Sequence, residues 1–151
     1  MFSSQIQIFI QLLLAAFLGA ILGLEREYTK KEAGLRTYSL VSLASAFFTI
    51  ISFKATNLFL NSVLDFDPSR IIGQIVLGVG FLGAGLIIYR QQHIDGLTTA
   101  AGLWLASAVG AAAGVGLYFP AFFVTFLGIA ILAGLRLLEE RVFKTKNPDE
   151  K

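Results

Sequence analysis

The side chains able to do chemistry fall into two small groups. Glu25, Arg26 and Arg36, with Thr98 and Thr99, offer carboxylate, guanidinium and hydroxyl groups. Such groups suit a salt-bridged polar cluster better than a reaction centre. Asp67, Arg70 and Gln74 form the second group, with Arg70 and Gln74 one turn apart on a helix face, in reach of a neighbouring helix or an anionic ligand. Asp65 and Asp67 add carboxylate oxygens, a weak basis for a dedicated divalent-cation site. His93 is the single histidine and has no ligand pair beside it, so loop exposure is expected, not ligation or catalysis. There is no cysteine, hence no disulfide, thiolate metal site or thiol nucleophile. No nucleophile is paired with a base, so no catalytic, metal or cofactor-binding residues are assigned and no enzyme is expected.

The elements that must position these groups are read from hydropathy. Hydrophobic residues make up 56% of the 151 residues and charged residues only 15%. A soluble domain of this size could not cover its surface with so few charges, so the solvent is a bilayer. Apolar runs at 6–24, 35–53, 71–89, 97–116 and 119–138 are each near the length of about 20 residues that crosses a membrane. The fold class is therefore an all-α integral membrane protein, a bundle of about five transmembrane helices over 1–140, with a short charged tail over 141–151. The amino terminus, Met-Phe-Ser-Ser-Gln, has no basic region or cleavage pattern, so the first span is expected to be kept. The last two spans are joined by a short turn near Leu117–Pro120, which makes them a helical hairpin.

Lys54 and Arg70 stand on one side of this plan, and every other Lys and Arg on the opposite side. The positive-inside rule then puts the amino terminus outside and the carboxyl terminus in the cytoplasm. The basic residues gather at segment ends with no basic face, so nucleic-acid binding is not expected. The partners are the lipid bilayer and, through small-residue helix faces, a second copy of the chain or other membrane proteins.

Local signals refine the plan. Gly78-Val79-Gly80-Phe81-Leu82-Gly83 matches a dinucleotide-binding fingerprint by letter, but inside a predicted span it lacks the preceding strand that fingerprint requires. Its expected role is helix packing, with Gly78, Gly80, Gly83 and Gly85 letting backbones approach and Trp104 joining the same interface. The third and fourth spans are accordingly expected at the bundle centre. The phenylalanine-rich fifth span should face lipid, and Tyr28, Tyr89 and Tyr118 should lie at the membrane interfaces. Asp67 before Pro68 reads as a helix cap, and Asp95 is expected to cap the fourth span. The loop after the first span should return Arg36 close to Glu25 and Glu27. The Thr98 and Thr99 hydroxyls either bond back to their own helix or cross to Arg36 and Glu25.

Three segments together resemble the MgtC/SapB family. They are Gly23-Leu24-Glu25-Arg26-Glu27 with Gly34-Leu35-Arg36-Thr37, then Asp67-Pro68-Ser69-Arg70-Ile71 with Gly78 to Gly85, then Gly96-Leu97-Thr98-Thr99-Ala100-Ala101 with Trp104. The resemblance covers nearly the whole chain through the fifth span. It implies a bacterial inner-membrane protein; one branch of the family is linked to growth at low magnesium, survival in phagocytes and regulation of the ATP synthase. Virulence-associated members carry a carboxyl-terminal soluble domain of ACT type, whereas this chain, stopping soon after Leu138, is expected to be a short member with the membrane domain only. Residues carried over by position are Glu25, Arg26, Arg36, Asp67, Arg70, Gln74, Thr98, Thr99 and Trp104, without assigned roles. The expected function is a non-enzymatic regulator or interaction partner of membrane transport or energy complexes under magnesium or acid stress. The alternative is an oligomeric transporter or channel for Mg2+ or another small ion.

Overall fold

A computed structural model describes residues 2–59, 67–90 and 93–143. Asp65, Lys144, Lys146 and Lys151, used above for the metal and orientation arguments, lie outside the described residues, as does most of the 141–151 tail. Five long helices follow from the five apolar runs: α1 (Phe2–Tyr28), α2 (Leu35–Phe59), α3 (Pro68–Leu86), α4 (Leu97–Val115) and α5 (Tyr118–Ile129). The last continues through a wider π-helical stretch, Ala130–Leu135, into α6 (Arg136–Phe143). Among the described residues, five helical segments are long and apolar enough to cross a membrane, the fifth running through from Tyr118 to Glu139.

The centre of the bundle is α4, packed between α1 and α2. Leu103, Ala106, Val109 and Ala113 of α4 are buried with Leu18 and Leu22 of α1 and Tyr38 of α2. Lipid tails are as apolar as these residues, so close backbone approach has to drive the association. Glycine makes that approach possible at specific points. A Cβ on Gly110 would run into the backbone carbonyl of Ser42, and one on Gly114 would lie 2.6 Å from the carbonyl oxygen of Ala46. On α1, a Cβ at Gly19 would lie 2.6 Å from the carbonyl oxygen of Tyr38.

Hydroxyls stitch the same interfaces. Tyr38, Ser42, Ser45, Thr49 and Ser52 recur at alternating spacings of four and three along α2 and are all buried. That spacing keeps them on one stripe of the helix. Ser42 donates to the carbonyl of Ala15 at 2.7 Å, Ser45 and Ser107 share a hydrogen bond of 2.8 Å, and Ser52 donates to the carbonyl of Pro68 at 2.9 Å. Helix α2 is thereby tied to α1, α4 and α3 in turn. Near the far end of α1, Gln11 donates to the Gly114 carbonyl at 3.1 Å.

The structure corrects the expected place of α3. Only Val79 and Gly83 of this helix are buried, so it is peripheral and not central. A Cβ added at Gly78, Gly80 or Gly85 would meet nothing within 4 Å, and at Gly83 it would make an ordinary 3.5 Å contact with Ala100. Trp104 is 52% exposed on the outer side of α4. Within one chain, then, Gly78, Gly80, Gly85 and Trp104 are not packing residues. The physical reason is that a glycine facing lipid and one facing a helix look alike in sequence. The same Gly78–Gly83 stretch runs inside α3, with no strand leading into it.

The connection from α3 to α4 departs from an all-α plan. The helix stops at Leu86, and Ile88–Arg90 pairs antiparallel with His93–Asp95 as strands β1 and β2. Gly96 follows with φ of 88°, a left-handed conformation suited to glycine, and a Cβ there would collide with the Leu86 carbonyl. Gly96, not Asp95, occupies the cap position of α4, and no side chain caps that helix. At the far end Gly116, with φ of 94°, closes α4. Leu117 N–H donates to the Ala112 carbonyl at 2.9 Å and Gly116 N–H to Ala113 at 3.0 Å, the reversal that forms the α4–α5 hairpin. Phe119, Phe123 and Phe126 of α5 point outward, as a lipid-facing helix requires.

Candidate functional site

The turn between α1 and α2 is built by the two segments Gly23–Glu27 and Gly34–Thr37 folding over one another. A Cβ on Gly23 would lie 2.6 Å from the Leu35 Cα, so α2 starts directly against the end of α1. Lys30 takes a left-handed φ of 54° after α1 ends, and Thr29, Lys30 and Lys31 donate their amides back to Glu25, Glu27 and Arg26. The Glu27 carboxylate accepts the amide of Leu35 at 3.2 Å, satisfying an otherwise free donor at the start of α2, and it lies over Gly34, where a Cβ would push the carboxylate aside.

Arg26 is the buried cation of this end, 3% exposed, and its Nε and Nη2 both pair with Oε2 of Glu25. The second oxygen of Glu25, Oε1, is buried without a partner. Arg36 departs from expectation: it is exposed and makes no ion pair among the described residues, so Arg26 is the partner of Glu25. A carboxylate in so little water is stabilised by the guanidinium adjacent in sequence, whose side chain folds inward.

Above this pair opens a cavity of about 490 Å³, bounded by the α1–α2 turn, the β2–α4 junction and the π-helical stretch. Arg26, Thr98 and Thr99 all line it, so three of the five residues expected to cluster at this end do meet. Thr99 is 2% exposed; its carbonyl accepts the Tyr38 hydroxyl at 3.0 Å, while its own hydroxyl has no partner among the described residues. Neither threonine bonds back to its helix or across to Arg36 or Glu25. Lys31, Glu32, Asp95, Arg136 and Glu139 complete the polar lining, and Ile94, Leu97, Ile131, Leu132 and Leu135 the apolar part. Sequence reasoning missed the contribution of the 131–139 segment, because five apolar-to-charged residues at a span end look like an ordinary membrane exit. It also missed Tyr38, for which the signal was the hydroxyl spacing along α2.

At the opposite end Asp67 caps α3, accepting the Ser69 amide and the Ser69 hydroxyl, each at 2.8 Å, with Pro68 in the first turn. These hydrogen bonds, the side-chain one first, hold the Asp67 carboxyl below the usual aspartate range, with Arg70 adding a smaller attraction. Arg70 and Gln74 are exposed and are not drawn into a cluster. Gln74 lines an apolar groove between α2 and α3 with Ser45, Phe48 and Val79. His93 is exposed in β2, as expected of it.

A bundle of apolar spans, closed by glycine contacts and carrying its only buried ion pair among the described residues at one end, is a membrane-protein architecture. The chain belongs to the MgtC family, whose model matches residues 12–141. It is 46% identical over 110 residues to a protein of Escherichia coli K12 named putative magnesium transporter YhiD, covering 72% of this chain and 51% of that one. It is 41% identical over 124 residues to protein MgtC of Brucella abortus, covering 82% and 49%, and 36% identical over 137 residues to protein SrpB of Synechococcus elongatus, covering 85% and 75%. The chain spans about half the length of most of the curated relatives it matches. No solved structure matches it.

Proposed function

We propose that the chain is a non-enzymatic membrane regulator, seated in the bacterial inner membrane, that contacts a transport or energy complex during magnesium or acid stress. The observation that carries this reading is the distribution of charge. Among the described residues every Asp, Glu, Lys and Arg lies near a helix end, and the mid-bundle hydroxyls of α2 are engaged by carbonyls or by Ser107. Coupled transporters place ionisable groups near the midplane, and none is placed there. The charged turn, with exposed Arg36 and His93 beside it, is instead the surface with features a protein partner can read.

The test is photo-crosslinking from Arg36 and His93 positions in living cells grown at low magnesium and at acidic pH. A discrete adduct with a subunit of a transport or energy complex supports the reading; no heterologous adduct under either condition contradicts it. A second reading, an oligomeric carrier or channel for Mg2+ or another small ion, draws on the name of the Escherichia coli relative and on the buried hydroxyl stripe. Ion flux into liposomes containing the purified chain, lost on Glu25→Ala, would favour it over the regulator.

A further inference from the structure

We infer that the cavity at the Arg26 end is a binding site for the headgroup of an aminophospholipid, a phosphodiester that also carries a primary ammonium. The floor of the cavity consists of donors. The amides that open α4 have no side-chain cap, because Gly96 holds the cap position, so Leu97, Thr98 and Thr99 present a helix start with unsatisfied N–H groups. Two further observations point to a ligand there. Thr99 lines the cavity, is 2% exposed, and its hydroxyl has no hydrogen-bond partner among the described residues. Arg26 lines it too, 3% exposed, and only its Nε and Nη2 are engaged by Glu25, leaving Nη1. Amides, hydroxyl and guanidinium converging in one recess are the donor set a phosphate oxygen takes.

The rim carries the opposite sign. Glu32, Asp95 and Glu139 are exposed at its edge and outnumber Lys31 and Arg136. A doubly charged free phosphate would be repelled by those carboxylates, whereas a singly charged phosphodiester bearing an ammonium places one charge on the floor and the other at the rim. Leu97, Ile131, Leu132 and Leu135 line the same opening with aliphatic surface, at the ends of helices long enough to span a bilayer, which is where acyl chains would leave a headgroup. A volume of about 490 Å³ falls among cavities that hold small ligands. This inference stands whether or not the chain acts through a protein partner.

The experiment is native mass spectrometry of the full chain in detergent, titrated separately with phosphatidylethanolamine, phosphatidylglycerol and phosphatidylcholine. Preferential retention of phosphatidylethanolamine is expected. Thr99→Val keeps the side-chain shape and should weaken retention about three- to ten-fold, the worth of one lost hydrogen bond. Glu139→Gln with Asp95→Asn should remove the preference over phosphatidylglycerol while leaving phospholipid binding in place. Free phosphoethanolamine as competitor separates the sources: displacement of the lipid at millimolar concentration shows that the headgroup alone is recognised, while displacement at micromolar concentration would make a soluble phosphoamine the ligand and overturn the lipid assignment. Equal retention of all three lipids, unchanged in Thr99→Val while its melting temperature matches the parent, would also overturn it.

Discussion

The phenolic hydroxyl of Tyr38 donates to the backbone carbonyl of Thr99 at 3.0 Å, joining the first turns of α2 and α4 beneath the charged cavity. Tyr38 is fully buried, and a Cβ on the facing Gly102 would collide with its hydroxyl. Tyr38→Phe removes the bond and leaves the carbonyl buried, so a loss of about 1 kcal/mol is expected, read as a lower melting temperature in detergent.

Glycines of α4 and α3 should behave in opposite ways. Gly110→Ala drives a methyl into the Ser42 carbonyl and is expected to destabilise the bundle by about 1–3 kcal/mol, since backbone has to move. Gly80→Ala meets open space and should leave the unfolding free energy of the monomeric chain within about half a kilocalorie per mole of its parent. Comparable losses for the two would place α3 inside the bundle after all.

The Glu25–Arg26 pair is expected to act as a unit. Arg26→Met strands a carboxylate whose second oxygen is already unpartnered, at an expected cost of about 3–5 kcal/mol. Adding Glu25→Gln removes the uncompensated charge and should recover a large part of that loss. A double-mutant cycle by thermal unfolding checks it; a loss in the double variant equal to the sum of the losses of Arg26→Met and Glu25→Gln would show that the pair is not coupled.

The start of α3 should respond to acid. The folded-state pKa of Asp67 is depressed, so its contribution is fully present above the ordinary value of 3.8 and is lost as the pH falls through the lowered folded value. Hydrogen exchange at Ser69, corrected for its intrinsic rate, should therefore accelerate only in strong acid. Asp67→Ala should exchange fast at all pH values, and Asp67→Asn should keep the cap without the acid response.

How much of this could be read from residues depends on the kind of signal. Helices α1 to α5 were legible because about 20 apolar residues have few alternatives, and the Asp67-Pro68 cap because its chemistry is local. Arg26, Thr98 and Thr99 were legible as one group because the span plan brings the end of the first span and the start of the fourth to the same side of the membrane. The position of α3 was not legible, because Gly78, Gly80 and Gly85 would suit a helix interface as well as the open face they occupy. The β1–β2 ribbon was hidden by Ile88 and Tyr89, which prolong the apolar run of α3 past its end. The inward turn of Arg26 in place of Arg36 depends on which side chain faces the core at the end of α1, a matter of one residue of helix phase. The hydroxyl stripe of α2, by contrast, stands in the sequence at regular spacing, from Tyr38 through Ser42, Ser45 and Thr49 to Ser52.

If the five-span bundle presents the Arg26 cavity to the cytoplasm, cysteine accessibility in intact cells will show it, since the chain has no native cysteine to interfere. Glu32, Ser69 and His93 are exposed and can each be replaced singly by cysteine. The five-span plan requires that Ser69→Cys react with an impermeant maleimide from outside, while Glu32→Cys and His93→Cys react only after the membrane is opened. Labelling of Glu32→Cys or His93→Cys in intact cells would put the cavity on the outer face and contradict both the orientation and the cytoplasmic-partner reading.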